Sequence, residues 1–522
     1  MNQRIRAATM MAWAIMAALP LAAAIDKPVK VTGGLVSGTP GRDPSIMAFR
    51  GIPFAAPPVG ENRWRAPRPA ARWQGVRKAD RFGASCIQNI VEVLKPWTYE
   101  FMTHNEIGED CLFLNVWTGA KAAGEKRPVF VYIYGGGFNS GSGPVPVYDG
   151  EGLAGKGLVM VSMNYRVGVL GFLAHPELTR ESGKQASGNY GMLDQIAALK
   201  WVKENIARFG GDPARVTIAG QSAGAASVHF LTASPLAKGL FQRAIAESGS
   251  SVTPGPGGGE RRLADAEADG GKFADAKGAH SLADLRALSW QRLQEPLPPA
   301  LRGLSRVRPV VDGYSLEAPV REVFAAGKQN DVVTLTGCNQ DEYGAMPNPA
   351  VTAEEFQKQA RARFGEKADE FLRLYPAAGD EQARASANDS ARDQARVSMY
   401  LWAVQRAKTA GTKAYTYFWT HALPGPEVDK YGAFHTSEVP YALNTLSRSE
   451  RPFADEDRRI AEAMSSSWTN FARAGDPNGR GLAAWAPVPG KPVTMELGGR
   501  MGMIPIAVSE EKFRFFEDVL GK

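Results

Sequence analysis

One strand-turn-helix pattern near the middle of the chain constrains the fold more than any other feature. Residues 216–219 form a β-branched and apolar run typical of a buried strand, and residues 223–228 are small residues suited to a helix packed closely on a sheet. Between them, Gly220 and Gly224 flank Ser222 in the spacing Gly-x-Ser-x-Gly. A strained turn of this kind has room only for glycine at the two flanking positions, and it projects the serine from the sheet. An ordinary strand-to-helix turn would share the pentapeptide, so the rest of the chain must decide.

The N-terminus has the pattern of an export signal. Arg4 and Arg6 form a positive start, residues 7–21 are largely apolar, and residues 22–24 are three alanines that fit cleavage before Ile25. The alternative is a membrane anchor, but the apolar stretch is shorter than the ~20 residues that span a bilayer. We therefore expect a signal peptide over residues 1–24 and an exported protein without a stable membrane anchor, located in the periplasm or outside the cell.

Composition favours a globular enzyme rather than a nucleic-acid-binding protein. The chain has 522 residues, 44% hydrophobic content and a formal net charge of +7, without a basic cluster interleaved with aromatics. Apolar strand patterns alternate with helical ones, which predicts an α/β fold with a mostly parallel sheet covered by helices on both faces. We expect a single catalytic domain over residues 25–522, with helical insertions at about 252–325 and 352–409 that roof the serine. We also expect a terminal helix over residues 458–474.

A glycine run supplies the second chemical clue. The apolar strand predicted at residues 129–134 runs directly into Gly135, Gly136 and Gly137. Backbone N–H groups of such a turn can converge on one point, as an oxyanion hole requires, although a flexible surface loop has the same composition. In the catalytic interpretation Gly136 and Gly137 donate beside the N–H of Ala223. The loss of one such donor typically slows a reaction by ~10²–10³-fold.

A nucleophilic serine needs a general base and an orienting carboxylate. When the serine stands in an elbow of this type, the acid and then the histidine follow it along the chain, which leaves His280, His421 and His435. His280 lies in a polar helical stretch typical of a surface. A loop position slightly favours His435 over His421, which ends an aromatic strand, but the residues alone leave both open.

Two neighbouring residues are candidates for the carboxylate that orients the histidine. Asp341 and Glu342 follow a strand predicted at residues 332–337, and adjacent carboxylates cannot both face one imidazole. Both could equally be solvated loop acids.

Three cysteines, Cys86, Cys111 and Cys338, allow three disulfide pairings, and none has the spacing of metal ligands. We expect no metal and no organic cofactor.

Taken together, these motifs resemble the type B carboxylesterase and cholinesterase family of α/β-hydrolases. The resemblance covers almost the whole mature chain and rests on ordered segments as well as the elbow: Phe49-Arg-Gly-Ile-Pro-Phe-Ala, Glu109-Asp-Cys-Leu-Phe-Leu-Asn-Val-Trp117, Tyr132-Ile-Tyr-Gly-Gly-Gly-Phe138, Gly188-Asn-Tyr-Gly-Met-Leu-Asp-Gln195 and Trp468-Thr-Asn-Phe-Ala-Arg-Ala-Gly-Asp-Pro-Asn478.

This resemblance assigns the site residues that the chain itself leaves open. It implies Ser222 as nucleophile, Glu342 as acid and His435 as base. It also implies the remaining functional and structural residues: Gly136, Gly137 and Ala223 as oxyanion donors, a Cys86–Cys111 disulfide, ion pairs of Arg63 with Glu109 and of Arg166 with Asp194, and Gln221, Glu438 and Ser248 as neighbours of the triad.

Departures from the family pattern concern the substrate and the acid. Gln221 stands where the family usually has a glutamate that helps hold a cation in choline esterases, which argues against a choline ester. No tryptophan follows Ser248-Gly-Ser250, so the acyl pocket is expected to be roomier, and Trp97 does not match the aromatic choline site in position. Tyr343 replaces a usual glycine after Glu342, which keeps Asp341 as the fallback acid.

The implied function is that of a secreted serine carboxylesterase which hydrolyses a small-molecule ester through an acyl-enzyme on Ser222. An amidase, a carbamate hydrolase or a lipase would use the same triad. A non-catalytic binding protein of the same superfamily is a further alternative, disfavoured by the presence of the serine, His435 and Glu342. The sequence does not define an oligomeric state.

Overall fold

A computed structural model describes residues 25–91, 94–252, 259–342, 350–425 and 427–521. Its centre is an eleven-stranded mixed sheet. The strands of this sheet are β1 (Thr39–Pro40), β2 (Met47–Pro53), β3 (Phe113–Thr118), β4 (Arg127–Ile133), β5 (Val159–Met163), β6 (Gly211–Gln221), β7 (Arg243–Glu247), β8 (Val333–Asn339), β9 (Ala414–Trp419), β10 (Val493–Leu497) and β11 (Gly502–Pro505).

The sheet order is β11-β10-β9-β8-β7-β6-β4-β5-β3-β2-β1. Neighbours from β10 to β5 pair in parallel, and the strands outside them pair antiparallel. Strand β5 is buried throughout and β4 almost throughout, because helices cover both faces of a parallel sheet and its strands then become continuous apolar runs. The predicted α/β architecture is confirmed.

Helices pack on both sides of this sheet. The α-helices are Glu151–Gly155, Gly168–Phe172, Pro176–Glu181, Tyr190–Asn205, Ala223–Ala233, Leu263–Lys277, Leu282–Ala287, Trp290–Gln294, Val320–Ala325, Ala353–Phe364, Ala368–Leu374, Asp380–Ala407, Val428–Tyr431, Val439–Ala442, Asp455–Ala474 and Glu510–Leu520. Short 3₁₀ turns occupy Gly60–Asn62, Tyr99–Phe101, Pro146–Tyr148, Ile206–Phe209, Pro235–Ala237, Pro299–Ser305, Gly365–Lys367 and Leu446–Arg448.

Small sheets lie beside the main one. They join Val29–Val31, Gly34–Ser37 and Val76–Lys78; Ser85–Cys86 and Ile107–Gly108; and Arg261–Arg262 and Val310–Val311.

One expectation about the C-terminal region is wrong. The helix predicted at residues 458–474 was expected to be the terminal one, yet β10, β11 and the helix Glu510–Leu520 follow it. The last helix packs on Asp380–Ala407 and completes a second apolar core beside the sheet. Short strands with mixed exposure carry little periodicity, which explains why the sequence pattern missed them.

Two further expectations touch residues outside those described. The signal peptide lies wholly there, at residues 1–24, and the first insertion partly, at residues 253–258. Within the described ranges, no helix has the length and apolarity needed to cross a membrane.

The elbow depends on a very close approach of helix and strand. A Cβ on Gly224 would lie 2.1 Å from the carbonyl oxygen of Ile133 at the end of β4, and one on Gly220 would lie 2.6 Å from the same atom. The helix Ala223–Ala233 can therefore reach the sheet only if both positions lack a side chain. This contact places the helix N-terminus directly behind Ser222.

We expect Gly224→Ala to destabilise the protein by about 1–3 kcal/mol or more, because the added methyl group must push the helix from the sheet. Thermal unfolding and ester turnover would measure the effect. Gly271→Ala is the matched control: Gly271 lies in the helix Leu263–Lys277 with nothing within 4 Å of its Cβ position, so alanine there should be neutral or stabilising. Equal melting temperatures for the two variants would contradict the close approach.

Candidate active site

Ser222 occupies the sharp turn between β6 and the following helix. Its backbone lies at φ 59° and ψ −123°, a strained conformation for a residue with a side chain. The N–H of Ser222 donates to the carbonyl of Glu247 at 2.9 Å, which ties the turn to β7. Ala223 begins the helix, so its N–H has no carbonyl one turn earlier to bind. The turn thus presents a hydroxyl and a backbone donor side by side.

The glycine run after β4 faces this turn. A Cβ on Gly135 would lie 2.6 Å from the carbonyl oxygen of Gln221 and 3.1 Å from Cβ of Ser222. Gly136 and Gly137 have φ values of 109° and 62°, a region that favours glycine. Their N–H groups donate to no acceptor within the described ranges. The loop therefore lies against the serine with backbone donors available to a ligand.

His435 and Glu342 form a close pair at the same place. Nδ1 of His435 lies 2.5 Å from Oε2 of Glu342, and both side chains are largely buried. The backbone N–H of Asn339, at the end of β8, donates to the other oxygen of Glu342 at 3.0 Å. Because Nδ1 is bonded to the carboxylate, Nε2 is the nitrogen left to accept a proton.

The pKa values of this pair move in opposite directions. Burial by itself would lower the pKa of His435, but the negative charge and hydrogen bond of Glu342, with a contribution from Glu438, raise it above its usual value. Burial by itself would raise the pKa of Glu342, yet His435 and the N–H of Asn339 hold it below its usual value. The pocket thus favours an imidazolium next to a carboxylate, the charge state that a proton transfer from serine creates.

The alternative bases and acid lie in other environments. His421 bonds Asp457 at 2.8 Å, and His280 is exposed. Asp341 bonds Arg392 at 2.6 Å and accepts the N–H of Ala433 at 2.8 Å. These contacts fix the chain around His435, while the adjacent Glu342 is the carboxylate that reaches the imidazole.

Gln221 and Trp97 hold the histidine loop. The amide nitrogen of Gln221 lies 3.2 Å from Nε2 and 3.4 Å from Nδ1 of His435. The indole N–H of Trp97 lies 3.1 Å from both the carbonyl oxygen of His435 and the hydroxyl of Thr436. Thr436 has a φ of 88°, so the loop is bent at this point. Sequence reasoning missed this role of Trp97, since a lone tryptophan in a loop carries no signal of its distant partner.

Glu438 and Ser248 also lie near the triad, as the resemblance implies. Glu438 is fully buried and accepts a bond from the side-chain amide of Asn339 at 2.5 Å. Ser248 follows β7 with a φ of 55°, and its N–H donates to the carbonyl of Gly337 at 2.9 Å. Sequence reasoning missed a second buried carboxylate, Glu247, whose signal was an acid at the end of the otherwise apolar strand β7.

The structural pairs implied by the resemblance are present. Cys86 and Cys111 form a disulfide, and Cys338 is a buried free thiol. The guanidinium of Arg63 contacts Glu109 at 2.7 Å, and that of Arg166 contacts Asp194 at 2.8 Å in full burial.

All the candidate catalytic groups open onto one large cavity. It has a volume of about 2030 Å³, and its wall includes Ser222, His435, Glu342, Gly136, Gly137 and Ala223. Aromatic and polar side chains of the helical insertions, such as Phe356 and Trp402, line the same space. Within the described ranges, no three His, Cys, Asp or Glu side chains are grouped to hold a metal ion.

A parallel sheet with a serine elbow, a glycine-rich loop and a buried His–Glu pair defines an α/β-hydrolase. The sequence profile of the Carboxylesterase family matches residues 26–515. Fumonisin B1 esterase from Sphingopyxis macrogoltabida is 36% identical over 514 residues, which cover 95% of this chain and 92% of the relative. The chain belongs to the carboxylesterase family and is a carboxylic ester hydrolase.

Vertebrate esterases are similar over most of their length as well. Cocaine esterase from Oryctolagus cuniculus is 34% identical over 484 residues, covering 87% of this chain and 88% of the relative. Cholinesterase from Mus musculus is 33% identical over 467 residues, covering 83% and 76% respectively.

The raised pKa of His435 predicts the pH at which activity is lost on acidification. A role of His435 as general base requires the neutral imidazole, so kcat/KM should fall about tenfold per pH unit below a pKa that lies above the 6.5 of an ordinary histidine. Glu342→Gln removes the negative charge and should move this acid limb of the pH profile to lower pH while lowering the rate. A limb that stays at the same pH in Glu342→Gln would contradict the pairing.

Replacing each candidate base tests the assignment directly. We expect His435→Ala to lower kcat by about 10⁴-fold or more, because the serine loses its proton acceptor. His421→Ala is the matched control: its bond to Asp457 is structural, so turnover should persist. The opposite outcome, with His421→Ala inactive and His435→Ala active, would overturn the choice of base.

Proposed function

We propose that the chain is an exported serine carboxylesterase that hydrolyses small-molecule esters through an acyl-enzyme on Ser222. The observation that carries the proposal is the shared geometry of Ser222, His435 and Glu342, which meet at one cavity next to free backbone donors. Three separate segments of the chain supply these groups. The packing of the fold alone does not require their side chains to meet, so their meeting supports a catalytic role.

Each step uses a group whose position is described above. His435 accepts the proton of Ser222 at Nε2, and the serine oxygen attacks the ester carbonyl. The N–H groups of Gly136, Gly137 and Ala223 bind the developing oxyanion. The imidazolium returns its proton to the leaving alcohol, and water then attacks the acyl-enzyme by the same route. Glu342 holds the imidazole and stabilises its positive charge.

The cavity favours bulky esters without a cationic alcohol. Its volume of about 2030 Å³ exceeds that of a typical small-ligand site. The neutral amide of Gln221 contacts the imidazole of His435. A carboxylate at this position would attract a cationic alcohol, and the amide does not. One relative is named as an esterase of fumonisin B1, so members of this family act on esters other than choline esters.

Export is supported by the disulfide. Structural disulfides persist in oxidising compartments, and Cys86–Cys111 closes a loop next to the site. The charged start, apolar run and alanine triplet of residues 1–24 have the pattern of a leader that cleavage would remove. The proposed location is the periplasm or the extracellular space.

The same triad could serve an amidase, a carbamate hydrolase or a lipase. A comparison of p-nitrophenyl esters of short and long acyl chains with a p-nitroanilide, an aryl carbamate and emulsified triglyceride separates these activities. We expect the soluble esters to be turned over fastest. Faster turnover of the anilide, the carbamate or the emulsion would replace the esterase assignment.

We expect Ser222→Ala to abolish ester hydrolysis with an unchanged fold, because it removes the oxygen that the proposed mechanism uses to form the acyl-enzyme. Mass spectrometry after organophosphate treatment should find one adduct on the peptide that bears Ser222 in the wild type and none in the variant. Ser227→Ala, in the buried part of the same helix, controls for the loss of a hydroxyl. A folded wild-type protein with neither turnover nor adduct would favour the non-catalytic binding protein.

A further inference from the structure

Two carboxylates that the proposed steps do not use lie beneath the site. Glu247 and Glu438 are both 0% exposed, and neither belongs to the wall of the cavity. A buried carboxylate is costly unless a cation or several hydrogen bonds compensate it. No lysine, arginine or histidine of the described residues forms an ion pair with either one.

The sheet register and one side-chain bond place the two carboxyl groups on the same face of the sheet. Glu247, at the end of β7, pairs directly with Gly337 of β8, so both residues face the same side of the sheet. Asn339 stands two residues further along β8 and shares that face. Its side-chain amide is the group that binds Glu438. Both carboxyl groups therefore lie on one face, at the carboxyl ends of adjacent strands.

Each carboxylate has one bonded and one unbonded oxygen. The indole N–H of Trp468 donates to Oε1 of Glu247 at 2.7 Å, and Asn339 donates to Oε2 of Glu438. Oε2 of Glu247 and Oε1 of Glu438 have no hydrogen-bond partner among the described residues. Buried oxygens of this kind are normally satisfied, and the hydroxyls of Tyr132 and Tyr417 in the same cluster also have no partner among the described residues.

Among the described residues that act electrostatically on the two glutamates, His435 is the one that can carry a positive charge. Facing the pair are the hydroxyls of Tyr132, Tyr148 and Tyr417, the thiol of Cys338, and the Glu342–His435 pair. Burial raises the pKa values of the three tyrosines and of Cys338, so these groups stay neutral. Two full negative charges here would repel each other and Glu342 with little screening.

We propose that Glu247 and Glu438 share one proton, so that the pair carries a single negative charge that stabilises the imidazolium of His435. One proton on the pair lets the protonated carboxyl donate to the other, which gives both unbonded oxygens a partner and leaves one buried charge instead of two. Burial raises the pKa of both glutamates, and the charge of Glu247 raises that of Glu438 further. Glu438 is thus a positioning residue that acts through the base.

The shared proton is measurable by linkage. A carboxyl whose pKa is raised by folding keeps a proton that the unfolded chain releases above about pH 4–5, so the free energy of unfolding falls as pH rises towards the raised pKa. We would measure chemical unfolding from pH 5 to 9 in the wild type, Glu247→Gln, Glu438→Gln and the double variant. The slope of the unfolding free energy against pH should correspond to one bound proton fewer in each single variant than in the wild type. The double variant should show the same reduction and no more.

Glutamine keeps the shape and can supply a donor, which favours folding of these variants. Glu354→Gln, on an exposed face, is the matched control and should leave the dependence unchanged. A loss of two protons in the double variant would show that each glutamate carries its own proton, and no loss in any variant would show that both are ionised. Either result overturns the shared proton.

The effect on the base has its own readout. The double variant lacks the negative charge, so the acid limb of kcat/KM should move to lower pH, with the loss in kcat rather than KM because neither residue lines the cavity. An unmoved limb would overturn this part. This readout rests on the proposed role of His435, whereas the unfolding measurement does not. A wild type that shows the predicted pH dependence of unfolding but no esterase activity would therefore contradict the proposed function and not the shared proton.

Discussion

The backbone contact of Gly220 and Gly224 with the end of β4 is the constraint on which the site depends. It brings a helix N-terminus against the sheet and forces Ser222 into a conformation that a serine would not choose. The strained backbone of Ser222 persists because the surrounding strands and the buried core hold the turn from both sides. The same contact sets the distance between the serine and the glycine run that follows β4. The serine and the backbone donors of the glycine run are thus positioned by a single helix–sheet contact.

The remaining groups come from neighbouring strand ends. β8 leads into Glu342, β7 into the Ser248 turn, and the loop with His435 is fixed by contacts of Asp341 and Trp97. Open parallel sheets bind ligands at the carboxyl ends of their strands, since the loops that leave those ends converge. Beneath this surface the same strand ends carry Glu247 and Asn339. The pairing of these strands therefore positions the buried polar groups below His435 as well as the loops of the site.

The sequence predicted the centre of the fold far better than its edges. The middle parts of strands β4 to β9 and the elbow are mostly apolar or small-residue runs, because burial on both faces of the sheet disfavours polar residues. β10 and β11 escaped detection since they are short and partly exposed. The residues alone reduced the base to His421 or His435 and the acid to Asp341 or Glu342, and the family resemblance chose between them. Contacts such as that of Trp97 with His435 join positions 338 residues apart, and no local pattern encodes them.

The loop between Cys86 and Cys111 has a further consequence. It carries Trp97, whose indole holds the backbone of His435, while the disulfide closes the loop at its base. One covalent bond outside the sheet therefore limits how far the backbone of His435 can move. The alignment of His435 therefore depends, through Trp97, on a bond of the kind that persists under oxidising conditions.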